Sequence, residues 1–328
     1  MVYISIVIFD FSRPDFIYKA VDFLVNEISG TDSEIILIKS YKNTEIEKFL
    51  NSNNIIYIDL IAHNEQSDYI NTVGRIASGE VIIFMDDDDI FYPGKIKYVS
   101  GLFQKNKNLG YYHNNFDIVD ESENIIINRN YKTPRFKTLY VDNALKSEFF
   151  NQTRNLRLML KVRPDFNSSS ISIRRTILSG YKGEYNFNVR PDSFIFAFAL
   201  LSPMDIMLDN KVLTHYRIYS GNVSTSYNAK IDKLRDTFIS AFSAGISMFG
   251  IIKKIVKSTE YENYIELRTL NLKLAYNFWS LTRTYKIGFR EKISALKVDF
   301  VNEFAYMVLS AMPKFLKLKV MKIFYHAK

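Results

Sequence analysis

Cysteine is absent from this 328-residue sequence. The chain therefore has no disulfide framework, no thiolate metal site and no cysteine nucleophile. Its first ten residues also lack the basic flank and the small-residue cleavage site of a signal peptide, and their apolar, β-branched character predicts a first strand instead. A cytoplasmic location is the expectation that follows from these absences.

Long apolar runs are absent as well, because no segment reaches the roughly 18 to 20 apolar residues that cross a bilayer. The stretch from Thr237 to Ile252 is uncharged for 16 residues, but it contains serine and glycine and is followed directly by two lysines. It is expected to form a core or interfacial helix. The histidines at positions 63, 113 and 326 show no spacing typical of a metal site and are interpreted as structural or surface residues.

Charge is distributed unevenly along the chain, whose formal net charge is +8. Residues 229–328 carry 18 Lys and Arg against 8 Asp and Glu, whereas residues 1–228 carry 25 against 27. The basic character therefore belongs to the C-terminal region, where an anionic membrane surface or a nucleic acid could be the partner. Nucleic acid is disfavoured, because no groove-reading or RNA-stacking motif accompanies the lysines.

Strand and helix signals alternate along the first third of the chain. Apolar strand candidates occur at residues 4–9, 34–38, 55–60 and 81–85, with helical spacing between them. This order predicts an α/β fold, a mostly parallel, doubly wound sheet with flanking helices. We expect one catalytic domain over residues 1–228 and a helical, basic region over residues 229–328.

The middle of the chain is less regular. Residues 109–113 and 116–119 predict two strands, and the acidic turn at 120–124 predicts a hairpin with residues 125–127. Residues 128–168 are polar and aromatic without a clear period. They are expected to be an acceptor-side insertion or a mobile loop.

The central chemical feature is a buried strand that runs into four carboxylates. Residues Val81 to Met85 are all apolar, and Asp86 to Asp89 follow them directly. Ligands bind beyond the carboxyl ends of strands in open α/β sheets, and Mg²⁺ is commonly held by one or two carboxylates together with substrate phosphates. A metal-bound phosphate ester is the favoured interpretation, and a solvated acidic loop is the alternative.

Taken in order, four blocks of the sequence resemble the family 2 glycosyltransferases, whose fold is the nucleotide-sugar-binding GT-A sheet. The blocks are Ile6 to Pro14, Asn71 with Ala77 to Glu80, Asp86 to Asp89 with Ile90 and Pro93, and Arg190 to Asp192 with Leu213 to Ser224. The resemblance covers about residues 1–226. It implies a hexosyltransferase-type enzyme that uses a UDP- or GDP-sugar donor and a glycan or lipid-linked acceptor.

The resemblance also implies roles for individual residues. Asp88 and Asp86, together with His215, would hold Mn²⁺ or Mg²⁺, and Asp192 would be the general base of an inverting reaction. The nucleotide sugar would contact Phe9, Asp10, Phe11, Arg13, Asn71, Asp86, Asp87 and Arg217. An N-capping role for Asp192 and a core-packing role for Phe11 stay open as alternatives, as does a solvated strand edge for His215 and Arg217.

Several departures from the family pattern leave a second function open. Lys39 stands where acidic residues usually hold the base, Val73 stands where a glycine is usual, and Tyr219 stands where a histidine is frequent. A catalytically inactive nucleotide-sugar-binding or membrane-scaffold protein is therefore the alternative. A phosphatase of the haloacid dehalogenase type is disfavoured, because three predicted strands precede the aspartates here.

The C-terminal tail from Pro313 interleaves lysines with apolar residues. A helix there would place Phe315, Leu318 and Met321 along one side, with lysine stems able to reach a membrane surface. The tail is expected either to dock the enzyme at the cytoplasmic face of a membrane or to pack on its own domain.

Overall fold

The computed structural model describes residues 3–10, 13–60, 66–126, 136–180, 191–219, 231–282, 284–298 and 307–325. The chain divides into two compact units. The first unit comprises residues 1–119, 133–144 and 164–217, and the second comprises residues 120–132, 145–163 and 218–328. The boundary predicted after residue 228 falls within residues 220–230, which lie outside the described residues.

Strands and helices alternate through the first unit. The strands are β1 (Ile4–Asp10), β2 (Ser33–Lys39), β3 (Ile56–Asp59), β4 (Val81–Asp86), β5 (Ile90–Phe91), β6 (Leu109–Val119), β7 (Leu139–Val141), β8 (Ile171–Arg174) and β9 (Asp205–Arg217). The α-helices among the described residues are α1 (Pro14–Glu27), α2 (Thr44–Ser52), α3 (Gln66–Ile76), α4 (Lys95–Lys105), α5 (Lys146–Asn151), α6 (Thr153–Val162), α7 (Pro191–Leu201), α8 (Ile231–Ile255), α9 (Glu262–Trp279), α10 (Phe289–Val298) and the terminal helix (Lys314–Tyr325).

One sheet organises the first unit, with strand order β3-β2-β1-β4-β8-β6-β9-β5 and β7 paired to β9. Strands β1 to β4 pair with one another in parallel, as predicted: β1 pairs with β2 and β4, and β2 pairs with β3. Strand β8 runs antiparallel to both β4 and β6, so the other half of the sheet is mixed. The register pairs Phe9 with Asp86 and Asp10 with Lys39, which brings the carboxyl ends of β1, β2 and β4 to the same edge.

Strands β1, β2 and β4 are largely buried because helices cover the sheet, which explains their nearly continuous apolar sequences, whereas β3 at the end of the strand order is partly exposed. Alternate residues of β1, Ile4, Ile6 and Ile8, pack in one core cluster with α1 side chains such as Val21 and Leu24. Fully burying each such side chain contributes about 1.5–3 kcal/mol. The α/β prediction is confirmed for this part of the chain.

The structure corrects the prediction for the middle of the chain. The two strands predicted at 109–113 and 116–119 are one strand, β6, with register shifts near Asn114 and Asn115. The segment predicted to be an insertion or mobile loop contains β7, α5 and α6. Sequence reasoning missed helix α6, although its buried residues, Leu156, Met159 and Val162, recur at helical spacing.

The acidic turn at 120–124 is formed as predicted. The amide of Glu123 donates to Asp120 O at 3.0 Å, and the amide of Asp120 donates to Asn124 O at 3.0 Å. Ile125 beyond the turn is 53% exposed, and Ile127 lies outside the described residues. The second strand of the predicted hairpin is therefore not established.

The C-terminal region is mainly helical over its described residues, as expected. Leu234 of α8, Phe278 and Trp279 of α9, and Met321 of the terminal helix form one core cluster. Within the described residues, the segment Asp232–Ile255 has the length and mean hydropathy, 1.4, of a membrane span, although the sequence predicted a core or interfacial helix. Only 22% of that stretch is buried, and its exposed positions include Ser243.

Candidate active site

Four consecutive carboxylates, Asp86 to Asp89, form a tight turn beyond β4 and are called the aspartate cluster here. The turn is closed by a hydrogen bond from the amide of Asp89 to Asp86 O, 3.1 Å long. It is tied to β1 by the amide of Asp87, which donates to Phe9 O at 3.1 Å. The side chains do not face bulk water, because Asp87, Asp88 and Asp89 are all buried.

Arg13, in the connection between β1 and α1, supplies positive charge to the aspartate cluster. Its guanidinium forms ion pairs with both Asp87 and Asp88, and its Nε donates to Asp87 Oδ2 at 3.0 Å. Ion pairs that share one guanidinium in this way fix the two carboxylates relative to each other. Arg13 was predicted to contact the donor, and the structure places it at the edge where the aspartates lie.

Strand β9 supplies a second cation to the aspartate cluster. The amide of Arg217 donates to Asp89 Oδ1 at 3.1 Å, and its Nε donates to Asp88 O at 2.8 Å. His215 pairs with Ile90 in the sheet, and its ring packs edge-on against Tyr92 with centroids 4.3 Å apart. Arg217 therefore holds the turn itself, while the predicted role of His215 as a metal ligand stays a prediction.

The carboxylates carry more negative charge than these cations offset. Burial, and then the charges of Asp89 and Asp88, raise the pKa of Asp86 well above its usual range. Burial also raises the pKa of Asp87, although Arg13 opposes the shift. Burial and the charge of Asp88 raise the pKa of Asp89 to about 7. Further positive charge at this turn would stabilise the ionised carboxylates.

A short 3-10 turn, Ser168–Ser170, called the serine turn, links the aspartate cluster to Asp192. On one side, Ser169 Oγ accepts a hydrogen bond from the amide of Asp86 at 2.8 Å. On the other side, the amide of Asn167, which precedes the turn at a φ of 68°, donates to Asp192 Oδ2 at 3.0 Å. Two aspartates 106 positions apart in the sequence are thus joined through one turn.

Asp192 lies in the first turn of α7 and is buried. Its Oδ1 accepts from the amide of Ser193 at 2.9 Å, so both carboxylate oxygens interact with backbone amides. This contact fits the capping interpretation, and it also fixes the carboxylate in one orientation.

Lys95, which sequence reasoning missed, lies at the start of α4 and is fully buried. Its Nζ donates to Ser169 O and, at 2.9 Å, to Thr214 Oγ1. Thr214 also donates to Ser169 O at 3.0 Å. A lysine after Pro-Gly at a helix start is normally solvated, and its partners are 74 and 119 positions away, so no local signal identifies it.

The predicted nucleotide contacts have different outcomes. Asp10 is buried and accepts a hydrogen bond from the hydroxyl of Tyr41. The ring of Phe9 lies in the core between Phe84 and Tyr69, at 5.7 and 5.5 Å between centroids, and a nucleotide contact of this residue stays a prediction. Asn71 is half-buried in α3, and Phe11 lies outside the described residues.

Lys39 departs from the acidic pattern of the family, and its environment explains how the chain accommodates it. Its fully buried ammonium forms ion pairs with Glu47 at 2.8 Å and Asp59 at 2.5 Å, and it donates to Tyr41 O at 2.8 Å. Burial disfavours the ammonium, but the hydrogen bonds with Asp59 and Glu47 raise its pKa overall. The positive charge at the end of β2 is thus neutralised within the protein.

A parallel half-sheet that ends in an acidic turn, with a mixed half-sheet beside it, defines an α/β protein of the nucleotide-sugar-binding GT-A class. Residues 5–179 match the sequence profile described as Glycosyl transferase family 2, which covers more than half of the chain. The chain belongs to this family, and glycosyl transfer is its class of activity. No match was found among proteins with curated descriptions.

Solved structures support the same fold. Residues 1–349 of S. aureus TarS in complex with UDP-GlcNAc align at 13% identity, cover 94% of this chain and 84% of that chain, and give a TM-score of 0.50. The same protein in complex with UDP gives 10% identity, 98% and 92% coverage, and a TM-score of 0.52. The mannosyltransferase PcManGT from Pyrobaculum calidifontis, in complex with GDP-Man and Mn²⁺, gives 12%, 98% and 87%, and a TM-score of 0.55.

Proposed function

We propose that this chain transfers a hexose from a nucleotide-diphosphate sugar to an acceptor hydroxyl, with inversion at the anomeric carbon and with the help of a divalent cation. The observation that carries the proposal is the serine turn, which joins the aspartate cluster to Asp192 through Asp86 and Asn167. A diphosphate-binding group and a base in fixed relation are the two parts that the reaction needs.

A UDP- or GDP-sugar is the proposed donor. The similar structures contain UDP-GlcNAc in TarS and GDP-Man in PcManGT, so the fold accommodates both bases. At the edge where β1 and β2 end, Asp10 and Tyr41 present a carboxylate and a hydroxyl, whereas the charge of Lys39 is committed to Glu47 and Asp59. Asp10 and Tyr41 would therefore contact the nucleotide base, a role that acidic residues at the end of the second strand usually have in the family.

A hard divalent cation, Mn²⁺ or Mg²⁺, fits the chemistry of the aspartate cluster. The ligands are carboxylate oxygens, and Asp89 Oδ2 is buried without a hydrogen-bond partner among the described residues. Among the described residues, no group of three or more Asp, Glu, Cys or His side chains is already arranged to hold a metal ion. Asp88 and Asp86, with His215, would hold the cation, and for this Arg13 would have to release Asp88.

When bound, the cation would neutralise the charge that develops on the departing diphosphate. The residues of the chain supply the rest of the chemistry. Arg13 and Arg217 lie against the aspartates and would bind and orient the diphosphate. Asp192 would accept the proton of the acceptor hydroxyl as that oxygen attacks the anomeric carbon from the face opposite the leaving group. Inversion is proposed because the sequence offers one candidate base, Asp192, and no paired nucleophile that would argue for retention.

We further propose that the enzyme works at the cytoplasmic face of a membrane, on a glycan or lipid-linked acceptor. In the terminal helix, Phe315 is 69% exposed and Leu316 is 37% exposed. Lys314 and Lys319 on the same helix are also exposed. Exposed aromatic and aliphatic side chains beside lysines favour an interfacial helix on anionic lipid.

Donor binding tests the proposed function directly. Melting temperatures would be measured with UDP-, GDP- and dTDP-sugars, each with and without Mn²⁺, and transfer or donor hydrolysis would be measured with the donors that bind. A donor at 100 times its dissociation constant stabilises a protein by about 2.7 kcal/mol, which gives a clear shift. Metal-dependent turnover would support the enzyme. Donor binding without any turnover would favour the inactive binding protein, and no binding of any donor would contradict both.

A further inference from the structure

Lys95 is a buried lysine that the proposed reaction does not yet use. Its side chain is fully buried, and its Nζ lies 3.7 Å from the centre of the Phe91 ring. Burying an ammonium costs several kcal/mol unless its donors are satisfied. Two hydrogen-bond acceptors, Ser169 O and Thr214 Oγ1, reduce this cost. A leucine or methionine would fill the same space without the cost of desolvating an ammonium. The lysine is therefore expected to have a role beyond packing.

The partners of Lys95 show what the side chain holds together. It joins the start of α4 to the serine turn and to β9, three segments that are distant in sequence. The same residue of the serine turn, Ser169, binds the amide of Asp86 through its hydroxyl. Arg217, three residues beyond Thr214 in β9, binds Asp88 O and Asp89 Oδ1. Lys95 therefore contacts two segments that support the aspartate cluster, the serine turn and β9.

The electrostatic environment connects Lys95 to the same cluster. Burial lowers its pKa well below the ordinary range, and the negative charge of Asp89 acts in the opposite direction. Lys95 is fully buried, so a bound substrate would not contact its side chain directly.

We propose that Lys95 is a positioning residue for glycosyl transfer: by holding Ser169 and Thr214 together, it fixes the serine turn between Asp86 and Asp192. The inference rests on the proposed function, because it assumes that the aspartate cluster binds the donor and that Asp192 is the base. The serine turn would then keep the donor site and the base at a fixed spacing. Misplacing reacting groups by about 1 Å can lower a rate on the order of 100-fold while the substrate still binds. Loss of Lys95 is therefore expected to lower kcat more than it changes KM for the donor.

The test compares three variants with the wild-type chain. Lys95→Met keeps the length and apolar stem but removes the ammonium. Thr214→Val removes the hydroxyl that accepts from Lys95 and Asn114 and donates to Ser169 O, and it keeps the inference testable where Lys95→Met fails to fold. Lys105→Met, at the exposed end of the same helix α4, is the matched control. Steady-state kinetics would be combined with hydrogen–deuterium exchange of the ligand-free proteins.

We expect Lys95→Met to lower kcat by about 10- to 100-fold and to leave the donor KM within about 3-fold. Thr214→Val should change kcat in the same direction by a smaller factor, and Lys105→Met should change neither constant. Amide exchange should rise at residues 86–89 and 167–170 in the first two variants, while β1 and β2 keep their protection.

Two results would overturn the inference. One is an unchanged kcat with unchanged exchange at both segments. The other is a uniform rise in exchange that includes β1 and β2, which would make Lys95 a residue of general stability only. If the wild-type chain neither binds nor turns over any donor, the proposed function fails. The exchange comparison would still decide whether Lys95 holds the serine turn.

Discussion

At the scale of single residues, the site combines side chains that repel one another with cations that offset part of that repulsion. Asp87 and Asp88 share Arg13, while Asp89 and the backbone of Asp88 are bound by Arg217. The carboxylates still raise one another's pKa. Removing one charge from this turn should therefore cost little stability, even where it removes function.

Asp88→Asn is expected to abolish transfer and cation-dependent donor binding while the melting temperature holds or rises. The amide removes a charged ligand but relieves repulsion with Asp86 and Asp89, and Arg13 keeps its ion pair with Asp87. Calorimetry with and without Mn²⁺, together with donor titration, would measure both effects. Asp22→Asn, at an exposed position of α1, is the control and should change nothing. Near-normal turnover of Asp88→Asn would refute the metal role.

Asp192→Asn separates the catalytic role from the capping role. As a general base, Asp192 should contribute at least about 100-fold to the rate, whereas donor affinity should stay nearly unchanged. The asparagine oxygen can keep one of the two amide contacts, made to Ser193 and Asn167, so part of the capping survives. Transfer rate, donor affinity and melting temperature would be measured together. A loss of rate that follows only from unfolding would return Asp192 to capping.

The sequence predicted those parts of the site that depend on local pattern. An apolar run followed by four aspartates is visible in nine residues, Val81 to Asp89, because strand and ligands are adjacent. Lys95, Ser169 and Thr214 could not be predicted in this way. These three residues come together only in the folded chain, where α4, the serine turn and β9 are in contact. No short window of sequence contains all three residues.

At the scale of secondary structure, prediction succeeded where the apolar period was clear. Strands β1, β2 and β4 are largely buried and consist mainly of apolar residues, and α1 begins at a proline that suits a first helical turn. It failed where tertiary contacts decide the element. Helices α5 and α6 bury few residues each, and β6 continues through register shifts at Asn114 and Asn115 that look like a break in sequence.

The turn between α3 and β4 offers a test of how closely these elements pack. A Cβ added at Gly79 would lie 2.5 Å from the backbone nitrogen of Ser5 in β1, so Gly79→Ala requires a backbone shift. We expect a loss of about 1–3 kcal/mol. Gly74→Ala is the matched control. It adds a methyl to exposed helix, 3.9 Å from the nearest atom, and should be neutral or stabilise by up to about 1 kcal/mol.

Urea unfolding of both glycine variants would measure these differences as changes in midpoint. Equal midpoints for Gly79→Ala and the wild-type chain would contradict the close packing of this turn on β1. A destabilised Gly74→Ala would show that the effect belongs to glycine replacement in general.

At the scale of the whole molecule, acidic and basic residues are unevenly distributed along the sequence. The excess of Lys and Arg lies in residues 229–328, whereas the aspartates and Asp192 lie in residues 1–228. Part of the terminal helix is committed to packing, because Met321 is buried and Lys317 donates to Asn277 O at 2.7 Å. The stripe predicted for Phe315, Leu318 and Met321 is therefore divided: Met321 is buried, Leu318 is half-buried and Phe315 is exposed.

This division sharpens the membrane prediction, since only the exposed side of the terminal helix is available to lipid. Phe315→Ser with Leu316→Ser should reduce co-sedimentation with anionic liposomes at low salt, without lowering the melting temperature. Lys314→Gln with Lys319→Gln should weaken binding by about 1 kcal/mol per lysine, and only on anionic lipid. Leu145→Ser, at a position 57% exposed, removes a comparable apolar side chain and is the control. Wild-type protein that stays in the soluble fraction with anionic lipid would contradict membrane attachment, and equal sedimentation of all variants would place the attachment elsewhere on the chain.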